Sequence, residues 1–216
     1  MCQNQIEINK DLLQDNNKLA EENKKWLKAK GAIAVNIMGS PGSGKTTLIE
    51  KLAKNFNPAE LAVIQGDLEE DVDKKRLEKL GLQTHQINTH SGCHLNAQMI
   101  KDALLNMNLE TTKFVLIENV GNLVCPAGVQ LGETYNIVVS SSTEGDDKPK
   151  KYPVIFHNAD AIVLSKMDIA EHTGFNKKEY INSIKKLNPE GIIVEMSKPK
   201  EHGCEKVAEL IKSVTN

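Results

Sequence analysis

The segment Gly39-Ser40-Pro41-Gly42-Ser43-Gly44-Lys45-Thr46 constrains this chain more than any other. It follows a short apolar run, opens a helix-like stretch and satisfies the pattern G-x-x-x-x-G-K-[ST]. Glycines let backbone amides turn inward around phosphate oxygens, and the first turn of the following helix adds positive potential. In this reading Gly39, Pro41, Gly42, Ser43 and Gly44 shape the cradle, and Thr47 continues the helix start. Lys45 reaches the β- and γ-phosphates, and Thr46 holds Mg²⁺ through its hydroxyl. The alternative is a glycine-rich turn with no ligand, and the strand–loop–helix setting argues against it.

Such a loop sits at the end of a strand in an α/β sheet. Strand-like runs occur at 33–38, 61–65, 84–88, 114–118, 135–140, 161–164 and 191–196. Helix-like stretches at 46–56, 71–80, 95–107, 177–187 and 205–213 lie between most of them. This alternation predicts a P-loop NTPase of the α/β class, with a mostly parallel sheet covered by helices on both faces. Several runs are apolar without alternation, as buried strands require. Ligands of such sheets bind beyond the carboxyl ends of the strands, where the polar connections 119–134 and 141–153 are expected.

Residues 1–30 differ from the rest, being rich in Asn, Gln, Lys and Glu. Apolar residues recur every seven positions at Leu12/Leu13, Leu19/Ala20 and Trp26/Leu27, which predicts one helix over 11–29. The division is therefore an N-terminal helical arm at 1–30 and a P-loop GTPase domain at 31–216, the arm packing on the domain or holding a partner.

Charge and cysteine content narrow the setting. Twenty-seven basic residues against 29 acidic ones leave a net charge of -2, which argues against nucleic-acid binding by bulk electrostatics. No apolar run approaches the roughly 20 residues of a membrane span. The charged start is unlike a secretory signal. Four cysteines, Cys2, Cys93, Cys125 and Cys204, form no C-x-x-C pair. A cytoplasmic chain that binds neither membrane nor nucleic acid is expected.

Carboxylates at strand ends supply the remaining nucleotide chemistry. The run 114–117 ends in Glu118, with Gly121 three residues on, as in a Walker-B-like strand and its switch. Asp67 ends another strand and is a second candidate for the Mg²⁺ shell, although a lone acidic residue there is more often a helix cap. Lys45, Asp67 and Glu118 are the candidate catalytic residues. In Ser165-Lys166-Met167-Asp168 the carboxylate can accept from guanine N1–H and its amine, while the lysine stem covers the ring. The serine departs from the common N-K-x-D. The next strand ends in Met196-Ser197-Lys198, where a backbone amide can meet the guanine oxygen. The two strand ends together favour GTP over ATP.

Cys93-His94 precedes a helix, and Cys125 lies seven residues beyond Glu118. A cysteine is usually a small buried hydrophobe and such a histidine a cap. As ligands, two thiolates and an imidazole suit zinc, nickel or copper(I). Three ligands leave the site open or completed by a second subunit, water or substrate.

Residues 39–47, 93–99, 117–126 and Thr143-Glu144-Gly145-Asp146-Asp147-Lys148 together resemble the hydrogenase nickel-incorporation GTPases of the HypB family, from about Gly31 onward. The resemblance implies the G-domain fold of SIMIBI-class NTPases and GTP/GDP with Mg²⁺ as ligands. It implies a homodimer formed in response to nucleotide, with Ni²⁺ or Zn²⁺ at the interface on Cys93, His94 and Cys125. The implied partners are a HypA-type nickel chaperone and the large subunit of [NiFe] hydrogenase. Many members carry a Cys-rich start that stores nickel; only Cys2 stands here, and one thiol is too few for a tight site. Cys204 reads as a buried thiol. The runners-up are a urease-type nickel GTPase, whose Cys-Pro-His motif is missing, a small-molecule kinase, which needs an arginine-rich lid, and a non-catalytic metal buffer.

Overall fold

Strands that are apolar on both faces must be covered on both, and this chain supplies helices for each side. A computed structural model describes residues 2–67, 72–89, 92–197 and 203–215, and the backbone alone at 2–10, 67 and 72–74. The strands are β1 (Ile33–Gly39), β2 (Leu61–Asp67), β3 (Gln83–Asn88), β4 (Phe114–Glu118), β5 (Tyr135–Ser141), β6 (Ala161–Ser165) and β7 (Ile192–Glu195). They form one sheet in the order β3-β2-β4-β1-β5-β6-β7, with every pairing parallel.

The helices are α1 (Cys2–Ala29), α2 (Lys45–Ala53), α3 (Val72–Glu78), α4 (Ala97–Leu105), α5 (Lys148–Lys151), α6 (Pro153–His157), α7 (Lys177–Leu187) and α8 (Cys204–Ser213). Alternation along β1 feeds three cores on two faces: Val35 and Ile37 pack with Leu48, Leu52, Val207 and Ile211 of α2 and α8. On the other face Ala34 packs with Leu27 of α1 and Ile100 of α4, while Met38 joins Phe156 and Tyr180 of α6 and α7. Cys204 is buried in the first of these cores. Because β4 and β5 flank β1, the loops leaving all three strands meet at one edge.

Two differences from the sequence expectation have local causes. The connection 141–153 is not all loop: α5 lies within it and α6 begins at its end, each with a proline in the first turn, where the missing N–H costs nothing. Helices of four and five residues are too short to show a periodic pattern. The arm helix α1 starts at Cys2 rather than near Asp11. Its stripe is covered only toward the C-terminal end, where Ala20 and Leu27 are buried, whereas Leu12 and Leu13 are 63% and 46% exposed.

Hydrogen bonds complete the docking of α1. The buried Asn23 amide donates to the carbonyls of Ala97 (2.8 Å) and Leu131 (3.1 Å). Asn16 donates to Gln130 O (2.8 Å) and accepts from Ala97 N (2.9 Å), so the arm holds the start of α4 directly. Among the described residues no helix is long and apolar enough to cross a membrane.

Replacing Asn23 by Ala removes two buried hydrogen bonds that hold the arm to the domain. The expected loss is about 1–3 kcal/mol in urea unfolding, against roughly 0.5 kcal/mol or less for the exposed Lys25→Ala.

Candidate functional site

The phosphate loop is shaped by glycines, through close approach at one and backbone conformation at another. A Cβ on Gly39 would collide with the Val139 carbonyl, and Gly44 closes the loop in the left-handed region at φ 103°. Gly44 also caps α2 without any side-chain hydrogen bond, so the first amides of the helix remain directed into the loop. Lys45 folds back over this cradle, and its Nζ donates to the carbonyls of Gly39 (3.3 Å) and Ser40 (3.2 Å).

Thr46 and Glu118 meet at the floor of the cradle. Thr46 Oγ1 donates to Glu118 Oε1 (2.7 Å), and Gln65 Nε2 donates to Glu118 Oε2 (3.0 Å), which fixes the carboxylate at 8% exposure. A hydroxyl and a carboxylate in contact form a hard oxygen donor set that fits Mg²⁺. Asp67 is the last residue of β2, and its side chain lies outside the described residues.

A cleft of about 320 Å³ runs from Thr46 and Thr47 past Gly44 to Lys166 and Met196. Lys166 holds the left-handed conformation (φ 56°, ψ 34°) at the start of the turn Met167–His172, which carries Asp168 exposed. Ser165, the departure from N-K-x-D, donates its hydroxyl to Ser43 O (2.5 Å) and so ties the base loop to the phosphate loop. Met167 N donates to Met196 O (3.2 Å), and the Ser197 carbonyl accepts from Lys51 Nζ (2.8 Å), so both strand ends face one cleft. Lys198 lies outside the described residues. Arg76, the only arginine in the sequence, reaches the cleft from α3 and is paired with Glu50 of α2 (2.9 Å).

The loop after β4 lies on the phosphate loop. A Cβ on Gly121 would stand 2.9 Å from Pro41 N and Cγ. Asn122 N donates to Gly39 O (3.1 Å) and forms a short antiparallel bridge with it. Beyond it the chain makes the tight turn Cys125–Gly128.

Cys125 thereby faces Cys93 and His94 from the loop after β3, and one ligand atom from each lies within 4.8 Å of the others. Cys93 Sγ is 3.4 Å from His94 Nδ1. Cys93 is exposed and Cys125 partly buried. α4 begins only after the Asn96 cap, whose side chain accepts from Met99 N (2.9 Å), so Cys93 and His94 lie on the loop rather than in the helix. The neighbouring Cys93 sulfur, as hydrogen-bond partner, holds the Cys125 thiol above the ordinary cysteine range; desolvation and the Cys93 charge push the same way. Nickel, zinc or copper(I) suits this donor set; magnesium does not.

The nucleotide-binding domain model of the CobW/HypB/UreG family matches residues 33–195. A probable hydrogenase maturation factor HypB of Methanocaldococcus jannaschii is 42% identical over 208 residues, covering 96% of this chain and 94% of that protein. The chain belongs to the HypB group of the CobW/HypB/UreG family. Among solved structures, HypB of Helicobacter pylori in complex with nickel is 40% identical, with a TM-score of 0.88 over 93% of this chain and 95% of that one. HypB of Archaeoglobus fulgidus is 38% identical, with the same TM-score over 94% and 100%.

Several residues of this HypB-type site were not singled out from sequence. Gln65 orients Glu118, Ser165 bridges two loops, and Asn119 and Asn122 brace the cysteine-bearing loops. Arg76 also reaches the cleft, carried there by α3. Lys148 Nζ lies 5.5 Å from the centroid of the Tyr152 ring.

A thiol held high stays protonated at neutral pH, and a bound metal must displace that proton. Ni²⁺ affinity is therefore expected to rise with pH through neutrality, with proton release on binding. Calorimetric titration in two buffers of different ionisation enthalpy measures the release, and identical heats would contradict it.

Proposed function

We propose that this chain is a slow GTPase that carries nickel as cargo for maturation of [NiFe] hydrogenase, with GTP-dependent dimerisation coupled to metal binding or release. The observation that carries the reading is that Cys125 sits four residues past Gly121 on one loop, and Gly121 rests against the phosphate loop. The nucleotide-binding family and the nickel complex of the Helicobacter pylori relative support it.

In this reading Gly39–Thr47 cradle the phosphates and Lys45 leaves the Gly39 and Ser40 carbonyls to meet them. Thr46, Glu118 and Asp67 would hold Mg²⁺, which neutralises charge on the β- and γ-phosphates when bound. Lys166 covers the guanine ring and Asp168 accepts from its edge, assisted by the backbone at Ser197 and Lys198. The Gly121 amide senses the γ-phosphate and draws Cys125 with it. Arg76 is engaged with Glu50, so the rate gain of about 10³–10⁵ that an arginine finger supplies is not expected from the single chain.

Cys93, His94 and Cys125 bind Ni²⁺, with Zn²⁺ as competitor, and a second copy of the chain completes the open coordination. Leu12 and Leu13 stay exposed beside His94 in an open groove, which suits a HypA-type chaperone handing nickel over before delivery to the hydrogenase large subunit.

Turnover below about 0.01 per second is expected without partners; tens per second would refute the switch. Asp168→Ala should weaken GTP relative to ATP by about 1.5–3 kcal/mol, roughly 10- to 150-fold. Cys93→Ala and Cys125→Ala should each lose stoichiometric Ni²⁺ and the Ni²⁺ response of the dimer in analytical ultracentrifugation with a GTP analogue. Unchanged Ni²⁺ binding in both variants would remove the metal assignment.

A further inference from the structure

The two halves of the metal site hang on different anchors. Cys93 and His94 are held by the sheet. Leu95, which follows them, is fully buried, and its methyls stand where a Cβ on Gly66 would be (2.8 Å). Its N–H donates to Asn119 Oδ1 (3.2 Å). Asn119 is itself 1% exposed: its N–H donates to Ile37 O of β1 (3.0 Å) and its amide to Asn36 Oδ1 (3.2 Å). Three bonds tie Leu95, and through it this jaw, to the sheet.

Cys125 is held differently. Asn122 Oδ1 accepts from both Val124 N (2.7 Å) and Cys125 N (3.2 Å), the local pattern by which an asparagine sets the geometry of the turn that follows it. The same residue's main-chain N–H binds Gly39 O at the entrance to the phosphate loop (3.1 Å). Val124 is 64% exposed, so it contributes little packing to restrain the turn. One residue thus joins the loop that senses phosphate to the amide of a metal ligand.

We propose that Asn122 is the positioning residue that transmits the state of the phosphate loop to Cys125, moving that thiolate against a Cys93–His94 jaw that Asn119 fixes to the sheet. The proposal rests on the GTP-coupled nickel reading above and names the residue through which the coupling runs. A shift of the phosphate loop carries the Asn122 backbone with it through the Gly39 bond. The side-chain oxygen then carries the Val124 and Cys125 amides. The two thiolates approach or separate while His94 stays in place. Ligand spacing decides affinity, so the metal reads the nucleotide through this single oxygen.

The side chain can be removed without touching the main-chain bond to Gly39. Asn122→Ala deletes the acceptor, and Asn122→Asp keeps it. The test titrates Ni²⁺ into wild type and both variants, each with GDP and with a non-hydrolysable GTP analogue, following the thiolate-to-nickel charge-transfer absorption. Circular dichroism checks the fold. Wild type is expected to bind Ni²⁺ with different affinity in the two nucleotide states. In Asn122→Ala the affinity should fall about 10-fold or more, and the two states should become equal within roughly twofold. Asn122→Asp should retain the difference between states. A difference that persists in Asn122→Ala, or is lost in Asn122→Asp, overturns the relay while leaving the nickel GTPase reading intact. Equal affinities in wild type overturn the coupled reading and the relay with it.

Discussion

The contact between the phosphate loop and the loop after β4 is the constraint on which the rest of the site depends. Gly121 has no side chain, so the backbone there can lie against Pro41, and the Asn122 amide can close on the Gly39 carbonyl. Any larger residue at 121 would lift the loop from the cradle. Glu118 would still end its strand, but the chain beyond it would lose its purchase on the nucleotide. Cys125 would then belong to an unconnected turn.

This contact follows from topology. A parallel sheet with β4 and β5 on either side of β1 delivers the carboxyl ends of all three strands to the same edge. β2 lies between β4 and β3, so the loop bearing Cys93 and His94 arrives from two strands away and reaches Cys125 across the end of β2. Gly66, near that end, leaves the space that Leu95 fills. The phosphate loop and the Cys93/His94/Cys125 cluster therefore occupy neighbouring positions on one sheet edge. Linkage requires that whatever one ligand does to the affinity of the other is returned in equal measure.

Much of this was legible because the residues involved carry patterns. Seven strand-like runs became seven strands, and the phosphate loop, Glu118, Asp168 and the Cys93/His94/Cys125 set stand where strand ends put them. The asparagines were not legible. Asn16, Asn23, Asn119 and Asn122 each make two or more bonds that hold arm, sheet or turn, yet an asparagine in a polar arm or a loop looks like ordinary solvation or turn chemistry. Their partners are groups tens of residues away, or amides in a turn whose shape no pattern announces. Ser165 looked like a weakened motif, and only its bond to the Ser43 carbonyl explains it. The arm's apolar repeat was read correctly as a helix, but which part of the stripe is covered depends on where α4 and the 130–131 segment lie.

The central claim is that one continuous stretch of chain links phosphate to metal, and its most direct test is reciprocal. Affinity for a non-hydrolysable GTP analogue is measured on the wild-type protein without Ni²⁺ and with Ni²⁺ at saturation, at fixed protein concentration and Mg²⁺. The account predicts two different affinities, differing by the same factor by which the analogue changes Ni²⁺ affinity. Identical affinities for the analogue would contradict it.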